Sequence, residues 1–225
     1  MLSGESAFAP APVQRPAVNL LPPAERRRAA PSVAWALAAA QEAMAGLDAS
    51  AYAVVFTSSD GDGDIVHRLC SALATPAAAV SPTDFHNSVH NAATGYWSIG
   101  AHSPAPSTAI CAYDDSFAAG LLEAAAQIAI EKRPVLLIAV DLPYPAPLAP
   151  HRPVRHGLAA ALALEPGTGL QVSLQDAAAS ASPLPDFKGN AAAACLPLLA
   201  ALARSGAATV RLPLAGRTLQ IVKSH

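Results

Sequence analysis

Apolar positions in this chain come in short blocks set apart by proline, glycine and aspartate, and the spacing inside each block says what it forms. Residues 31–46 (PSVAWALAAAQEAMAG) carry good helix formers between a proline at the start and a glycine at the stop, which predicts a helix. Residues 51–58 (AYAVVFTS) are an apolar, β-branched and aromatic run that predicts a strand, followed by the turn SDGDGD and a helix over 65–73. A short helix is expected around 85–93, within SPTDFHNSVHNAATGYWSIG. Next come a strand at 107–112 (STAICA), a helix at about 116–131 and a fully buried strand at 134–140 (PVLLIAV). Residues 144–153 form a proline-rich loop, and 157–165 and 169–174 are strands around the turn EPGTG. A helix over 191–204 precedes strands at 209–213 and 217–222, joined at Ala215-Gly216.

Two strand–helix–strand passages with buried strands imply an α/β domain, its central sheet covered by helices on both faces. Residues 1–23, rich in Pro, Ala and Ser and without periodicity, are expected to be a loosely tied N-terminal arm ahead of one domain over 24–225.

Composition narrows the function. Hydrophobic residues are 52% of the chain and charged ones only 13%, so little polar material is available to cover the outside, and a partner-covered surface is expected. The net charge of −2 and the scatter of basic residues, apart from Arg26, Arg27 and Arg28, argue against nucleic-acid binding. Cys70, Cys111 and Cys195 have no zinc-site spacing, which fits a reduced, cytoplasmic setting. No apolar run reaches the roughly 18 residues that span a bilayer, and the N-terminus has no secretory pattern.

The chemistry concentrates at STAICAYDDSFAAGLLEAA, where an apolar strand runs into an Ala-rich helix through Cys111, Ala112, Tyr113, Asp114 and Asp115. Backbone N–H groups and the helix dipole at such a junction stabilise a thiolate or an oxyanion. The competing reading makes Cys111 a buried core thiol and Asp114 or Asp115 an N-cap.

This junction resembles the active-site turn of β-ketoacyl synthases. SPTDFHNSVHNAATGYWSIG resembles the segment before that turn, a helix leading to a short "SI" strand, while PVLLIAVDLPYP and HGLAAALALEPGTG resemble the strands that close the first half-domain. FHNSVHNAATGYWSI and CAYDDSFAAGLLEA are similar to a smaller group of synthase-like proteins. That group includes chain-length-factor-type subunits of aryl polyene and related polyketide-type pathways.

The resemblance implies a thiolase-like half-fold with a central mixed sheet. It implies a partner too: condensing subunits of this family pair across a shared sheet edge, and the partner helps wall off the acyl pocket. Their decarboxylation chemistry uses two histidines from a second half, for which this chain, ending at His225, shows no fitting segment. Matching Gly120 to the glycine of the family's nucleophile helix puts the cysteine position on Ala112, one residue after Cys111; in a strand that shift would reverse the face. Asp114 and Asp115 would also oppose a thiolate.

The expectation is therefore a non-catalytic, chain-length-factor-type subunit that pairs with a full-length β-ketoacyl synthase, with an acyl carrier protein as a further candidate partner near Arg26–Arg28. No cofactor is implied. Phe85, His86, His90 and Trp97 are placed near the pocket or interface and Phe117 on the nucleophile-side helix. The alternative is an autonomous synthase or acyltransferase using Cys111, with His86 or His90 as base.

Two other motifs are set aside. His86 and His90 share an i, i+4 spacing but lack the Glu of a zincin and an evident third ligand, so no metal is assigned. DGDGD opens like a calcium loop but has Ile65 at the sixth position and Ser71 at the twelfth, so a turn with an Asp N-cap is expected.

Overall fold

The computed structural model describes residues 15–177 and 185–224; residues 1–14 of the expected arm, and His225, lie outside the described residues. Two helices open the described chain, α1 (Pro23–Arg28) and α2 (Pro31–Ala43). Each has proline in its first turn, where the missing N–H would have had no helical partner. The described end of the arm, just ahead of them, packs onto the domain. Val18 and Leu21 are both 2% exposed, and Arg15 donates to the Ala29 carbonyl. Burying two aliphatic side chains outweighs the absence of regular structure.

After α2 come β1 (Ala53–Thr57) and α3 (Gly63–Ala74). Asp62 caps α3, accepting from the Ile65 N–H at 3.1 Å and from the Ser32 hydroxyl at 2.9 Å, so the DGDGD run serves as the expected turn and cap. The segment that follows holds two helices instead of one, α4 (Pro82–Asn87) and α5 (Ala92–Gly100). Ser81 caps the first and Ser88 ends it by bonding back to the Phe85 carbonyl, so the expected helix over 85–93 is broken in its middle. Ser98 and Ile99, expected in a short strand, belong to α5.

The remaining elements are β2 (Ser107–Ile110), α6 (Ser116–Glu131), β3 (Val135–Asp141), β4 (Leu158–Leu164), β5 (Leu170–Gln175), α7 (Leu196–Leu202), β6 (Ala208–Leu214) and β7 (Arg217–Lys223). A 3-10 segment at Ala191–Cys195 replaces the first turn of the expected last helix, and Pro197 opens α7.

The main sheet has the order β2-β1-β3-β4, with β1 parallel to both β2 and β3 and β4 antiparallel to β3: a mixed sheet. Every residue of β1 and β3 is buried, because both faces are covered. Val54, Phe56, Leu136, Ile138 and Val140 pack into a core with α2 and α5. The alternate residues Ala53, Val55, Val135, Leu137 and Ala139 pack with α6 and with the second sheet. That sheet, order β5-β7-β6, is wholly antiparallel and gives Val210, Leu212, Leu219 and Ile221 to the same core. The layers thus run helix, sheet, helix, sheet, with α6 between the sheets. Helix α6 lies so close to β1 that a Cβ on Gly120 would stand 2.0 Å from the Thr57 methyl, so this position requires glycine. The β6–β7 turn takes Ala215 and Gly216 at φ of 49° and 77°, the double left-handed geometry of a tight hairpin.

Strands β2 and β4 are the two edges of the main sheet, and β2 is the one that leads into the turn at Cys111. It pairs with β1 on one side only and is partly exposed along its length. Among the described residues no helix is long and apolar enough to cross a membrane.

Candidate functional site

Parallel strands end together, so the loops after β1, β2 and β3 meet at one edge of the main sheet, the place where open α/β sheets hold their chemistry. At the centre of this edge is Asp141, the last residue of β3 and only 2% exposed. One carboxylate oxygen accepts from the Ser59 N–H (2.8 Å), the Ser59 hydroxyl (2.6 Å) and the Ser58 hydroxyl (3.2 Å); the other accepts from the Ala192 N–H (2.8 Å). Burial pushes this carboxyl's pKa up, against the hydrogen bonds from Ser59, Ala192 and Ser58 that favour its anion. The Asn190 amide donates to the carbonyls of Asp141 and His156, while its side-chain oxygen caps the Ala191–Cys195 segment. Asp141 therefore ties the end of β3 to the loop after β1 and to the chain that leads into α7.

Asp60 lies beside it, half-buried. Burial and then repulsion from Asp141 push its carboxyl up to about 6, while the Tyr144 hydroxyl and Arg152 pull the other way. Tyr144 also meets the Ser59 hydroxyl at 3.2 Å.

The loop after β2 carries the expected nucleophile turn. Strand β2 stops at Ile110, so Cys111 and Ala112 are already outside it and strand alternation does not decide which way they face. Cys111 is exposed, which overturns its reading as a buried core thiol, and its S–H donates to the Ser59 carbonyl at 2.9 Å. The buried thiol is Cys195, pushed up to about 12 by desolvation. The Ala112 N–H, a donor an oxyanion could use, is taken by the Ser116 hydroxyl at 3.0 Å, and that hydroxyl in turn donates to the Tyr113 carbonyl at 2.7 Å. Asp115 takes the N-cap position of α6 but makes no side-chain bond to the helix: it accepts from the Ala215 N–H in the β6–β7 turn at 2.8 Å, and Asp114 pairs with Arg152 at 2.8 Å.

Over this turn lies Arg152, its guanidinium 3.7 Å from the centre of the Tyr113 ring and 5.9 Å from that of Tyr144. Cation–π contact plus the Asp114 pair fixes Tyr113 with its backbone at φ 53°, a left-handed conformation that a bulky residue adopts only when its surroundings hold it.

The histidines divide. His90 Nε2 is 3.1 Å from the Ser58 carbonyl, so His90 and Cys111 contact successive carbonyls of the loop after β1. His86 stands edge-on to Tyr96 at 5.8 Å. They do not share a helix face, because α4 ends at Asn87, ahead of His90. Among the described residues, the hydrogen-bond partner of the Cys111 thiol is a carbonyl and not an imidazole. Phe85 is 68% exposed on α4, whereas Trp97 and Phe117 are 3% and 1% exposed, inside the two cores. Asp60, Asp141, Tyr144, Arg152 and Asn190 escaped the sequence reading. The available signal was an aspartate closing an otherwise apolar strand, in LLIAVDLPYP, opposite SSDG at the end of β1.

A cavity of about 400 Å³ opens beside the turn, bounded by Asp114 and Asp115, the segment from Phe187 to Ala194, and Arg211 to Pro213 of β6.

No curated protein matches this sequence. Among solved structures, the fold matches a chain of the ketosynthase (ApeO) in complex with its chain length factor (ApeC) from Xenorhabdus doucetiae, with a TM-score of 0.76 and 24% identity over 99% of this chain and 91% of that one. The family model described as beta-ketoacyl synthase, N-terminal domain, matches residues 3–214, and the chain belongs to that family.

Proposed function

We propose that this protein is a non-catalytic, chain-length-factor-type subunit that pairs with a full-length β-ketoacyl synthase in fatty-acid or polyketide-type acyl chain synthesis, of the kind that makes aryl polyenes, and that it works in the cytoplasm. The observation that carries this reading is the turn after β2. Its candidate oxyanion donor is spent on Ser116, its thiol on the Ser59 carbonyl, and its outer side is capped by Arg152 on Tyr113. A condensing site needs its oxyanion donors free and its nucleophile hydrogen-bonded to a base, and the Cys111 thiol is bonded to a backbone carbonyl instead.

The open edge at β2 supports the pairing, since an unpaired strand offers a row of N–H and C=O groups to a second chain. Phe85, Val89 and Ile99, all exposed, lie in the helical segment leading into that edge and would add apolar contact. The match to a synthase and chain-length-factor complex is in keeping with this, and the share of each chain covered makes the matched chain close to this one in length. Arg26, Arg27 and Arg28 on α1 form the basic surface on which an acidic acyl carrier protein would dock.

Co-expression with a full-length β-ketoacyl synthase from the same organism is expected to give a complex that co-purifies. The reading fails if the purified chain by itself condenses an acyl thioester with malonyl carrier protein and Cys111→Ala abolishes that activity.

A further inference from the structure

We infer that the cavity between the start of α6 and β6 is a binding site for an amphiphile with an apolar body and an anionic end, such as a medium-chain carboxylate. At about 400 Å³ it falls in the range of small-molecule sites. Its walls suit an alkyl or aryl chain: Phe187, Ala191 and Leu212 are buried side chains of the core, Ala193, Ala194 and Pro197 add apolar surface, and the amide of Asn190, which also lines the cavity, is already bonded to backbone groups.

Charge at the rim selects the head group. Four charged residues border the cavity, and its two carboxylates are already engaged, Asp114 by Arg152 and Asp115 by the Ala215 N–H. Lys188 and Arg211 are exposed, and among the described residues neither side chain has an ion pair or hydrogen bond. The Ala215 N–H is neutral and leaves the Asp115 charge in place, but Arg152 neutralises Asp114, so positive charge exceeds negative at the rim. Arg211 and Pro197 also border the adjoining depression of about 590 Å³, which Arg204 lines, so an anionic group emerging from the apolar cavity passes onto further positive charge. A cationic head would meet the same side chains as repulsion. None of these residues lies on β2 or α4, so the site stands apart from the proposed pairing edge and does not depend on it.

The test is calorimetric titration of the full-length protein with decanoate and with decyltrimethylammonium, each below its micelle concentration. Decanoate is expected to bind saturably with one site per chain, and decyltrimethylammonium at least about tenfold more weakly. Ala194→Trp, which fills the cavity, is expected to abolish decanoate binding with its melting transition retained. Lys188→Ala with Arg211→Ala, both on the surface, is expected to weaken decanoate by about tenfold and bring the two amphiphiles to similar affinity.

The inference is overturned by the absence of saturable decanoate binding, by equal affinity of the unaltered protein for both amphiphiles, or by a charge-deleted variant that binds decanoate unchanged. Should Ala194→Trp fail to fold, the charge-deleted variant decides alone. Co-purification of the unaltered protein with the synthase separates the two proposals: pairing without decanoate binding overturns only this inference, and decanoate binding without pairing overturns only the subunit reading.

Discussion

The two sheets of this protein follow different rules. In the main sheet β1 and β3 are buried along their whole length, since helices close over both faces. In the second sheet the alternation is plain: Val210, Leu212, Leu219 and Ile221 face the core, while Thr209 and Arg211 are exposed. A parallel strand between helices can spare no residue for water, whereas an antiparallel sheet at the outside of the molecule has a face to give up. The chemistry follows the same division. Parallel strands end side by side, so the first sheet gathers Ser59, Asp60, Cys111 and Asp141 at one edge. The second sheet contributes Arg211 and Leu212 as one wall of a cavity there.

Three measurements break or sharpen this contrast. The largest effect belongs to Leu137→Ala. Leu137 is 1% exposed between β3 and α6, with a helix pressing where relaxation would be needed. A loss of about 2–5 kcal/mol in unfolding free energy by urea titration is expected. A loss well under that range would mean that the layer between the sheets is soft.

Gly120→Ala comes next. The added methyl would overlap Thr57, so β1 and α6 must move apart; a loss of about 1–3 kcal/mol is expected by the same titration. Thr57→Ser in the same chain removes the clashing methyl and should recover part of that loss, which ties the effect to this contact and not to helix propensity.

Asp60 gives the smallest and most diagnostic effect. Its folded carboxyl sits at about 6, above the ordinary 3.8 of the unfolded chain, so between those values the folded state holds the extra proton. Stability is then fullest below about pH 4 as far as this group is concerned, and it is lost as pH rises toward about 6. Asp60→Asn should make the melting temperature fall less steeply across that window and raise it at pH 7. Asp141, whose pKa is also raised, keeps part of the slope. Identical slopes in the two proteins would refute the upward shift of the Asp60 carboxyl, which burial and then Asp141 produce.

Much of the architecture was legible because apolar runs of strand length, set between helix-forming stretches, can only be the buried strands of a layered sheet. LLIAV in β3 and AVVF in β1 have no other use in a chain with so little charge. The break between α4 and α5 was not legible, since Ser88 and Asn91 are as ordinary on a helix surface as at its end. Which one they are depends on the bond from Ser88 to the Phe85 carbonyl. The candidate site was half legible. The strand-to-helix junction pointed to Cys111, but its accompanying groups come from loops far apart in sequence, such as Asp141 with Ser59 and Arg152 with Tyr113.

The sequence by itself determined the α/β class, an aspartate cap within DGDGD and the turn at Ala215-Gly216, because propensity, capping and hydrophobic period act within a few residues of one another. Only the tertiary structure decided that Cys111 is exposed and committed to a carbonyl, and that Arg152 lies over Tyr113. It alone decided that β2 lies at an edge of the main sheet and that a cavity with two uncommitted cations lies beside the turn. Those facts depend on which loops the sheet order brings together, a matter of packing between distant segments that no local pattern encodes.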